Sequence, residues 1–245
     1  MQTKFYVMHY KGAPDRKEAL EPKIKQLGID VEWYTDYDRE DLTEETIEEL
    51  YIEDLDLFRS RMGEWKTEQD YLNYRGITKS ELSLAIKFIK CIETIAQSGY
   101  DNVVFFEDDV IFDDNRYGFE NGTKEKILDY LAMADEVGWD VLFLGGAFTH
   151  SLIENKAIGH YKNLVLVDHH QPSTNTTSSF AMTKGACVKI LDTLYPICNA
   201  IDWEFNYHFK ANEFRVFHTI PYLCGQASTL GLCSTTLTSK NNARR

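Results

Sequence analysis

The chain has 245 residues, 43% of them hydrophobic and 13% aromatic, which is enough material for the core of one large domain. Its net charge of −13 argues against tight binding to a nucleic-acid backbone, which requires an excess of lysine and arginine. No stretch is apolar over a membrane-spanning length, no export signal is visible, and the five cysteines lack metal-like pairing, so we expect reduced thiols in a cytoplasmic protein.

The first hundred residues alternate predicted strands and helices. Apolar residues recur at helical spacing over 41–62, which predicts one long helix there. Thr78 and Glu81 form a capping-box pattern in front of a second long, amphipathic helix. The predicted elements are a strand at 4–10, a helix ending at Gly28, a strand at 30–38, the helix at 41–62 and the capped helix, which ends at Gly99.

Two continuous apolar runs, "NVVFF" (102–106) and "DVLFLGG" (140–146), are typical of strands buried on both faces of a parallel sheet. A helix is predicted between them, so the pattern indicates an α/β domain: a Rossmann-like, mostly parallel sheet flanked by helices. We see no domain boundary and expect a single domain over 1–245. The predicted helix is 124–136, and shorter elements follow: helices at 184–194 and 201–209 and a last strand within 214–223.

Three acids, Glu107, Asp108 and Asp109, directly follow the first buried strand. Ligands of α/β sheets bind at the carboxyl ends of the strands, so this triplet is predicted to lie at the ligand-binding edge. Glu107 and Asp109 offer oxygen ligands at alternate positions, and Mg²⁺ or Mn²⁺ bound there would complete its shell with substrate phosphate and water. A solvated exit loop is the structural alternative.

A second acidic pair, Asp202 and Glu204, flanks Trp203 on a mostly apolar helical segment. Side chains two residues apart on a helix do not face one another, so the two acids need not share a role. One of them could cap the helix. A carboxylate beside an indole also suits sugar chemistry, because the ring packs on a pyranose while the acid takes a proton from a hydroxyl. His218, at the end of a predicted strand, is a candidate third metal ligand.

Six segments occur in an order shared with one enzyme family. They are the opening strand followed by Arg16, "ITKSELSLAIKFI" with Glu81, "VVFFEDDV", "SSFAMTKGACVKIL", "DWE" and "FHTIPYLCGQAS". Each motif is weak alone, but in this order they resemble glycosyltransferase family 25, which includes bacterial lipooligosaccharide and collagen hydroxylysine galactosyltransferases. The resemblance covers nearly the whole chain. Ser83, Lys87 and Phe88 depart from it, since the family often has glycine and a Ser-His pair there.

The resemblance implies a glycosyltransferase-A fold and an inverting, metal-dependent transfer of galactose or glucose from a UDP-sugar to a hydroxyl of a glycan or a protein. It further implies Mn²⁺ (or Mg²⁺) on Glu107 and Asp109, with a donor-binding half at about 1–146 and an acceptor half at about 147–245. Asp202 is then the expected base, and Glu204 is expected to orient the acceptor or the sugar. The implied donor-binding residues are Arg16, Glu81, Glu107, Asp108 and Asp109, although a capping role also explains Glu81.

Three rival functions remain open at the level of sequence. A carboxylate-based glycoside hydrolase needs a facing acid pair and no metal. An aspartyl-phosphate phosphatase also places acids at a strand end, but the expected Gly-Thr does not follow them here. A degenerate sugar-binding module would keep the fold without turnover, and the altered helix start at Lys87 and Phe88 is its only support.

Overall fold

The structure is a computed structural model that describes residues 2–74, 76–112 and 123–234. Within these ranges the chain forms a large mixed sheet with helices on both faces. The strands are β1 (Thr3–Met8), β2 (Glu32–Tyr34), β3 (Asn102–Glu107), β4 (Val110–Ile111), β5 (Val141–Gly145), β6 (Ala157–Tyr161), β7 (Leu164–Val167), β8 (Ser179–Thr183), β9 (Val216–Thr219) and β10 (Gly225–Gln226). The helices are α1 (Pro14–Gln26), α2 (Glu44–Leu50), α3 (Leu55–Met62), α4 (Glu68–Leu72), α5 (Lys79–Gln97), α6 (Lys124–Asp135), α7 (His150–Asn155), α8 (Lys184–Leu191) and α9 (Ile201–Ala211), with a 3-10 turn at Gly63–Trp65.

The main sheet has eight strands among the described residues, in the order β2-β1-β3-β8-β5-β9-β7-β6. Strand β1 is parallel to β2 and β3, and β5 is parallel to β9, whereas β8 is antiparallel to both of its neighbours. Strand β7 is likewise antiparallel to β6 and β9, so only β7 and β8 oppose the common direction. The predicted α/β fold with a mostly parallel sheet is confirmed.

Alternate residues of the central strands enter two separate cores. Tyr6 and Phe105 pack on the side of α5, α8 and α9, whereas Phe5 and Phe106 pack on the side of α1 and α6. Because helices cover both faces, both sets of side chains are buried, and the strands carry unbroken apolar runs rather than an alternating pattern.

A small second sheet joins the C-terminal segment to the residues that follow the acidic triplet. Strand β4 pairs antiparallel with β10, with Val110 opposite Gln226. The backbone N–H of Ala227 also donates to the carbonyl of Asp109 at 2.8 Å. This pairing holds residues 225–228 against the carboxyl end of β3.

The structure divides the predicted helix at 41–62 into α2 and α3. Between them Tyr51 forms a β-bridge with Ile197, and Ile52 donates its N–H to the carbonyl of Ile197 at 2.9 Å. Asp54 then caps α3 by accepting from two backbone N–H groups of its first turn. A tertiary contact therefore overrides the helical periodicity. The strands predicted at 30–38 and 214–223 are shorter than expected, and no helix of the described chain is long and apolar enough to cross a bilayer.

Candidate active site

The candidate site lies where the carboxyl ends of β1 and β3 meet. These strands are parallel neighbours, and Met8 is paired with Glu107, so the residues that follow each strand emerge at the same edge of the sheet. Two cavities adjoin there and share Leu84 and Glu107 in their walls. Glu107 and Asp108 therefore line a cavity, as expected for the ligand side of an α/β sheet, whereas Asp109 is buried beside them and lines neither cavity.

The first cavity, which we call the basic cavity, spans about 490 Å³ when its opening to solvent is included. Three cationic side chains contribute to its wall, which is unusual for a chain of net charge −13. They come from α1, from the segment after β2 and from α5, and each is also paired with a carboxylate: Arg16 with Asp108, Arg39 with Glu40 and Lys87 with Asp38. The polar lining residues are His9, Tyr10, Arg16, Arg39, Ser80, Ser83, Lys87, Glu107 and Asp108.

The carboxylate of Asp108, the middle acid of the triplet, is hydrogen-bonded by other residues that line this cavity. Its carboxylate accepts hydrogen bonds from Nδ1 of His9 at 2.9 Å, from the backbone N–H of Tyr10 at 3.2 Å and from Nη1 of Arg16 at 2.5 Å. Burial acts to raise the pKa of Asp108, but the hydrogen bonds from His9 and Arg16 and the charge of Arg16 hold it below its usual range. Asp108 therefore stays ionised and fixes the Arg16 guanidinium at the cavity.

Lys87 and Arg39 supply the other two cations. Lys87 is only 3% exposed and is ion-paired with the equally buried Asp38, and it also donates to the carbonyl of His9. Arg39 lies over the ring of Tyr10, with Cζ 4.6 Å from the ring centroid, and donates to the Tyr10 hydroxyl at 2.7 Å. Lys87, which departs from the family pattern, thus joins the segments that follow β1 and β2.

The other two departures also have internal partners. The hydroxyl of Ser83 donates to the carbonyl of Tyr37 at 2.7 Å. Phe88 is fully buried and lies in edge contact with Phe105. Ser83 and Lys87 therefore hold the loops that follow β1 and β2, and Phe88 packs in the core.

The second cavity, which we call the acidic cleft, encloses about 1010 Å³ and is partly open to solvent. Three carboxylates line it, from the ends of α5, β3 and α9: Glu81, Glu107 and Asp202. Glu81 also closes the predicted capping box, since it accepts from the N–H of Thr78 at 2.7 Å. The remaining polar lining residues are Asn175, Thr176, Thr177, Gln226, Ser228 and Thr229.

Glu107 and Asp109, the outer acids of the triplet, lie on either side of the Gln226 side chain. Nε2 of Gln226 donates to Glu107 at 3.3 Å and to Asp109 at 3.4 Å, and the hydroxyl of Thr177 donates to Glu107 at 2.8 Å. Burial, followed by the charge of Asp109, raises the pKa of Glu107 to about 8. Two carboxylates held this close are electrostatically unfavourable until a cation or a proton joins them.

This pair fits a divalent ion whose shell is completed by the substrate. Carboxylate oxygens are the ligands that Mg²⁺ and Mn²⁺ prefer, and such ions commonly take one or two protein carboxylates together with phosphate oxygens and water. In the described parts of the chain, no three His, Cys, Asp or Glu side chains converge as a preformed metal site. Two carboxylates alone would leave most of the coordination sites of such an ion to other ligands.

Asp202 occupies the first turn of α9 and, like Glu107, lines the acidic cleft. Burial raises the pKa of Asp202 to about 6, while the N–H of Trp203, which donates to its Oδ1 at 3.0 Å, and the charge of Lys66 act to lower it. The Lys66 ammonium lies 3.6 Å from the centroid of the Trp203 ring. That face of the indole is therefore closed to a sugar ring unless Lys66 moves, which differs from the stacking suggested by the sequence.

Glu204 lies on another face of α9 and does not line the cleft. It is fully buried, accepts from Nη1 of Arg61 at 2.6 Å, and also accepts from the backbone N–H groups of Cys198 and Asn199 at 2.8 and 2.7 Å. These bonds attach the segment before α9 to α3, and with it the start of α9. The contacts support a positioning role for Glu204 rather than direct contact with acceptor or sugar.

His218 is buried inside the protein, away from the carboxylates. Its Nδ1 is 2.8 Å from the hydroxyl of Tyr222, and its Nε2 is 2.9 Å from the carbonyl oxygen of Ser173. Burial lowers the pKa of His218 to about 4, so the ring is neutral, with Nε2 donating and Nδ1 accepting. Since both nitrogens are engaged, this geometry does not support the predicted metal-ligand role.

Sequence reasoning missed several polar residues of the two cavities. Arg39 lies in an acidic stretch whose sequence resembles a solvated loop, next to Asp38, the buried partner of Lys87. Thr177 lies in a polar loop. Gln226 lies in the segment "FHTIPYLCGQAS", and the family resemblance of that segment was the sequence feature that could have identified it. The loop containing Thr177 is positioned by Asn206 of α9, whose amide oxygen accepts from the N–H groups of Ser173 and Thr174.

Comparison with known proteins gives one informative match. The model of glycosyltransferase family 25, described as an LPS biosynthesis protein family, matches residues 2–204. This span contains β1, the acidic triplet and Asp202. Among curated proteins, none matches the chain.

Solved structures share only a general likeness of fold. A197 from STIV is 12% identical, with a TM-score of 0.39 over 89% of this chain and 81% of that one. A nucleotide-diphospho-sugar transferase of Desulfovibrio desulfuricans G20, described as unconfirmed, is 12% identical, with a TM-score of 0.38 over 89% of this chain and 80% of that one. A glucose-1-phosphate thymidylyltransferase of Bacillus anthracis, likewise described as unconfirmed and in complex with a sucrose, is 12% identical, with a TM-score of 0.39 over 92% of this chain and 89% of that one. At this level none of them carries a functional argument.

Proposed function

The chain belongs to glycosyltransferase family 25, and on that premise we propose that it is a metal-dependent, inverting hexosyltransferase. Its donor is a UDP-sugar, UDP-galactose or UDP-glucose, and its acceptor is a hydroxyl of a glycan or a protein. The donor-binding half is about 1–146 and the acceptor half about 147–245, within one domain.

One observation carries this proposal: a basic cavity and an acidic cleft adjoin at Glu107. A sugar nucleotide has the matching polarity, because its diphosphate is anionic and its hexose is neutral and rich in hydroxyls. The diphosphate would lie toward Arg16 and Arg39, and the hexose would extend into the acidic cleft. Every residue that lines the basic cavity precedes position 109, which supports the assignment of the donor to the first half.

Glu107 and Asp109 would hold the divalent ion. Such an ion, when bound, neutralises charge that develops on the diphosphate leaving group. Asp108 acts indirectly, since it keeps Arg16 directed at the cavity. Glu81 caps α5 and presents its carboxylate to the same cleft in which the hexose would lie.

Asp202 would be the base of the transfer. With a pKa of about 6 it is ionised at neutral pH yet basic enough to accept a proton. The acceptor hydroxyl gives its proton to Asp202 as its oxygen attacks the anomeric carbon, on the face opposite the departing diphosphate. The bond from that carbon to the diphosphate oxygen breaks, and the configuration inverts.

Donor binding tests the proposal directly. We would measure thermal shift and calorimetry with a panel of nucleotide sugars, each with Mn²⁺ and with EDTA, on the wild type and on Asp109→Ala. The expected result is stabilisation by one UDP-sugar that needs Mn²⁺ and is lost in the variant. Absence of binding by every nucleotide sugar would overturn it.

The same preparation separates the rival functions. Metal-independent cleavage of a glycoside would favour a glycoside hydrolase, and release of phosphate from a phosphomonoester would favour a phosphatase. Metal-dependent donor binding with neither transfer to any acceptor nor hydrolysis of the donor would favour a degenerate sugar-binding module.

A further inference from the structure

A third cavity, which we call the neutral cavity, spans about 1100 Å³ when its opening to solvent is included; it lies beside the acidic cleft and shares Gln226 and Thr229 with it. The segment 146–151, which follows β5, and Tyr222 both contribute to its lining. The proposed transfer gives this cavity no role. Its position and its lining together indicate what it holds.

The three cavities follow the order of strands along the carboxyl edge of the sheet. The basic cavity is at β1 and β3, the acidic cleft includes the end of β3 and the segment that leads into β8, and the neutral cavity is at the end of β5 and beyond β9. Neighbouring strands lie about 4.8 Å apart, so the end of β5 is roughly 10 Å from the end of β3. A molecule that presents a hydroxyl to Asp202 and extends away from the donor would therefore enter the neutral cavity.

The lining of the neutral cavity differs from that of its neighbours in charge. No Asp, Glu, Lys or Arg is among the described residues that line it, whereas the basic cavity has three cations and the acidic cleft three carboxylates. In a chain with 27% charged residues, a lining of this size without a formal charge favours an uncharged ligand. Among the residues that line the cavity, a charge on the ligand would find no counter-ion, although the Lys156 ammonium lies 5.4 Å from the centroid of the Phe148 ring.

Aromatic rings and hydroxyl groups make up most of the functional lining. Phe148 is half-buried, and His150 is exposed and in edge contact with Tyr222, with ring centroids 6.1 Å apart. The hydroxyls of Thr149, Ser151 and Thr229 lie in the same walls. Flat apolar rings interspersed with hydroxyl groups match the apolar ring faces and the hydroxyl edges of a sugar.

Gly146 keeps this wall open. A Cβ at that position would lie 3.1 Å from the Tyr222 hydroxyl, which is itself held by His218 at 2.8 Å. Because His218 is buried and anchored at both nitrogens, Tyr222 has little freedom to move aside. A side chain at position 146 would therefore narrow the cavity beside Tyr222.

We infer that the neutral cavity is an acceptor subsite for an uncharged glycan that extends at least one sugar residue beyond the one that reacts. This inference rests on the proposed function, because it takes the terminal sugar to react in the acidic cleft. It assigns the acceptor to neutral oligosaccharides rather than to charged glycans or to hydroxyl groups of peptides.

The test compares acceptors that differ in length or in charge. Probes are methyl glycosides of galactose, glucose and N-acetylglucosamine, neutral trisaccharides that end in the same sugars, and matched trisaccharides with a uronic acid at the second position. Transfer rates are measured with the donor that calorimetry identifies. We expect kcat/KM to be about tenfold higher for a neutral trisaccharide than for the methyl glycoside of its terminal sugar, because one aromatic contact contributes about that much binding energy. The uronic-acid trisaccharide should lose that gain.

Two variants locate the effect in the neutral cavity. Phe148→Ala removes a ring face, and Ser151→Trp fills the cavity from an exposed position that tolerates a large side chain. Both should lower kcat/KM for the neutral trisaccharide about tenfold and leave the monosaccharide rate within twofold. Leu152→Ala, an exposed apolar residue on α7 outside the cavity, is the matched control and should change neither rate.

Hydrolysis of the donor without acceptor separates failure of the inference from failure of the proposed function. If the UDP-sugar is bound and hydrolysed, but trisaccharides are no better than monosaccharides, or charged trisaccharides or peptide hydroxyls are preferred, the subsite assignment is wrong and the transferase assignment stands. If no nucleotide sugar binds, both are wrong.

Discussion

Arg16 and Asp108 are 92 residues apart in the chain, yet Nη1 of Arg16 lies 2.5 Å from Oδ1 of Asp108. This contact divides the acidic triplet by function. The middle carboxylate binds Arg16, His9 and the Tyr10 backbone, while Glu107 and Asp109 are directed to Gln226. Glu107 is the last residue of β3, and Asp108 and Asp109 form the turn before β4, so the three adjacent acids contact different partners.

Asp109→Asn should lower the transfer rate at least about 100-fold, because charge stabilisation by a bound metal is worth several kcal/mol. The same change should raise the melting temperature of the metal-free protein, since it removes a negative charge that helps to raise the pKa of the buried Glu107. Kinetics and calorimetry with EDTA check both effects. Asp129→Asn, at an exposed position on α6, is the control, and normal transfer in Asp109→Asn would exclude this metal site.

Asp202→Asn should lower kcat by roughly 10²- to 10⁴-fold, the range typical of general base catalysis, while UDP-sugar binding is retained. In the wild type kcat/KM should fall about tenfold per pH unit below pH 6, because protonated Asp202 cannot accept a proton. Asparagine can still accept the Trp203 N–H, so the start of α9 is preserved. An acidic limb that persists unchanged in the variant would assign the base to another residue.

Arg16→Gln should weaken binding of UDP in the presence of Mn²⁺ by about tenfold or more, since a hydrogen bond to a charged group contributes roughly 1.5–3 kcal/mol. Calorimetry measures this effect directly. Arg59→Gln removes an arginine of similar charge from an exposed pair with Glu68, and we expect it to leave UDP affinity unchanged. Equal losses in both variants would show that the effect is one of net charge.

Glu204→Gln should destabilise the protein, on the order of 3 kcal/mol, because it leaves the buried Arg61 guanidinium without its counter-ion. Urea unfolding measures the change. Below the unfolding transition, UDP-sugar binding should remain, since Glu204 does not line the cleft. A variant with full stability but low kcat would instead assign Glu204 a direct role in catalysis.

His218→Gln should flatten the dependence of stability on pH. The pKa of His218 is lowered by burial to about 4, from 6.5 in the unfolded chain, so its contribution is fully present above pH 6.5 and is lost as the pH falls toward 4. The lost stability is roughly 3 kcal/mol at most. Glutamine can keep both hydrogen bonds without titrating. Urea midpoints at pH 7 and pH 4.5 check this, and an unchanged difference between them would assign the pH effect to other groups.

Local patterns predicted most of the secondary structure. The capping box of Thr78 and Glu81 is formed as expected, because its partners are three residues apart and need no tertiary context. The apolar runs of β3 and β5 are buried strands, as periodicity indicated. The break between α2 and α3 was missed because the residue that pairs with Tyr51 is Ile197, far along the chain.

The sequence by itself determined the α/β class, the buried strands, and the position of the acidic triplet at the ligand edge, since all three follow from residue type and short-range order. Only the tertiary structure decided which of the candidate side chains are engaged by other residues of the chain. Asp108 is paired with Arg16, 92 residues away, and Glu204 with Arg61, 143 residues away. The ring nitrogens of His218 are hydrogen-bonded to Tyr222 and to the distant Ser173. Whether a carboxylate or an imidazole is held by such a partner depends on packing, which brings together residues that are distant in the sequence.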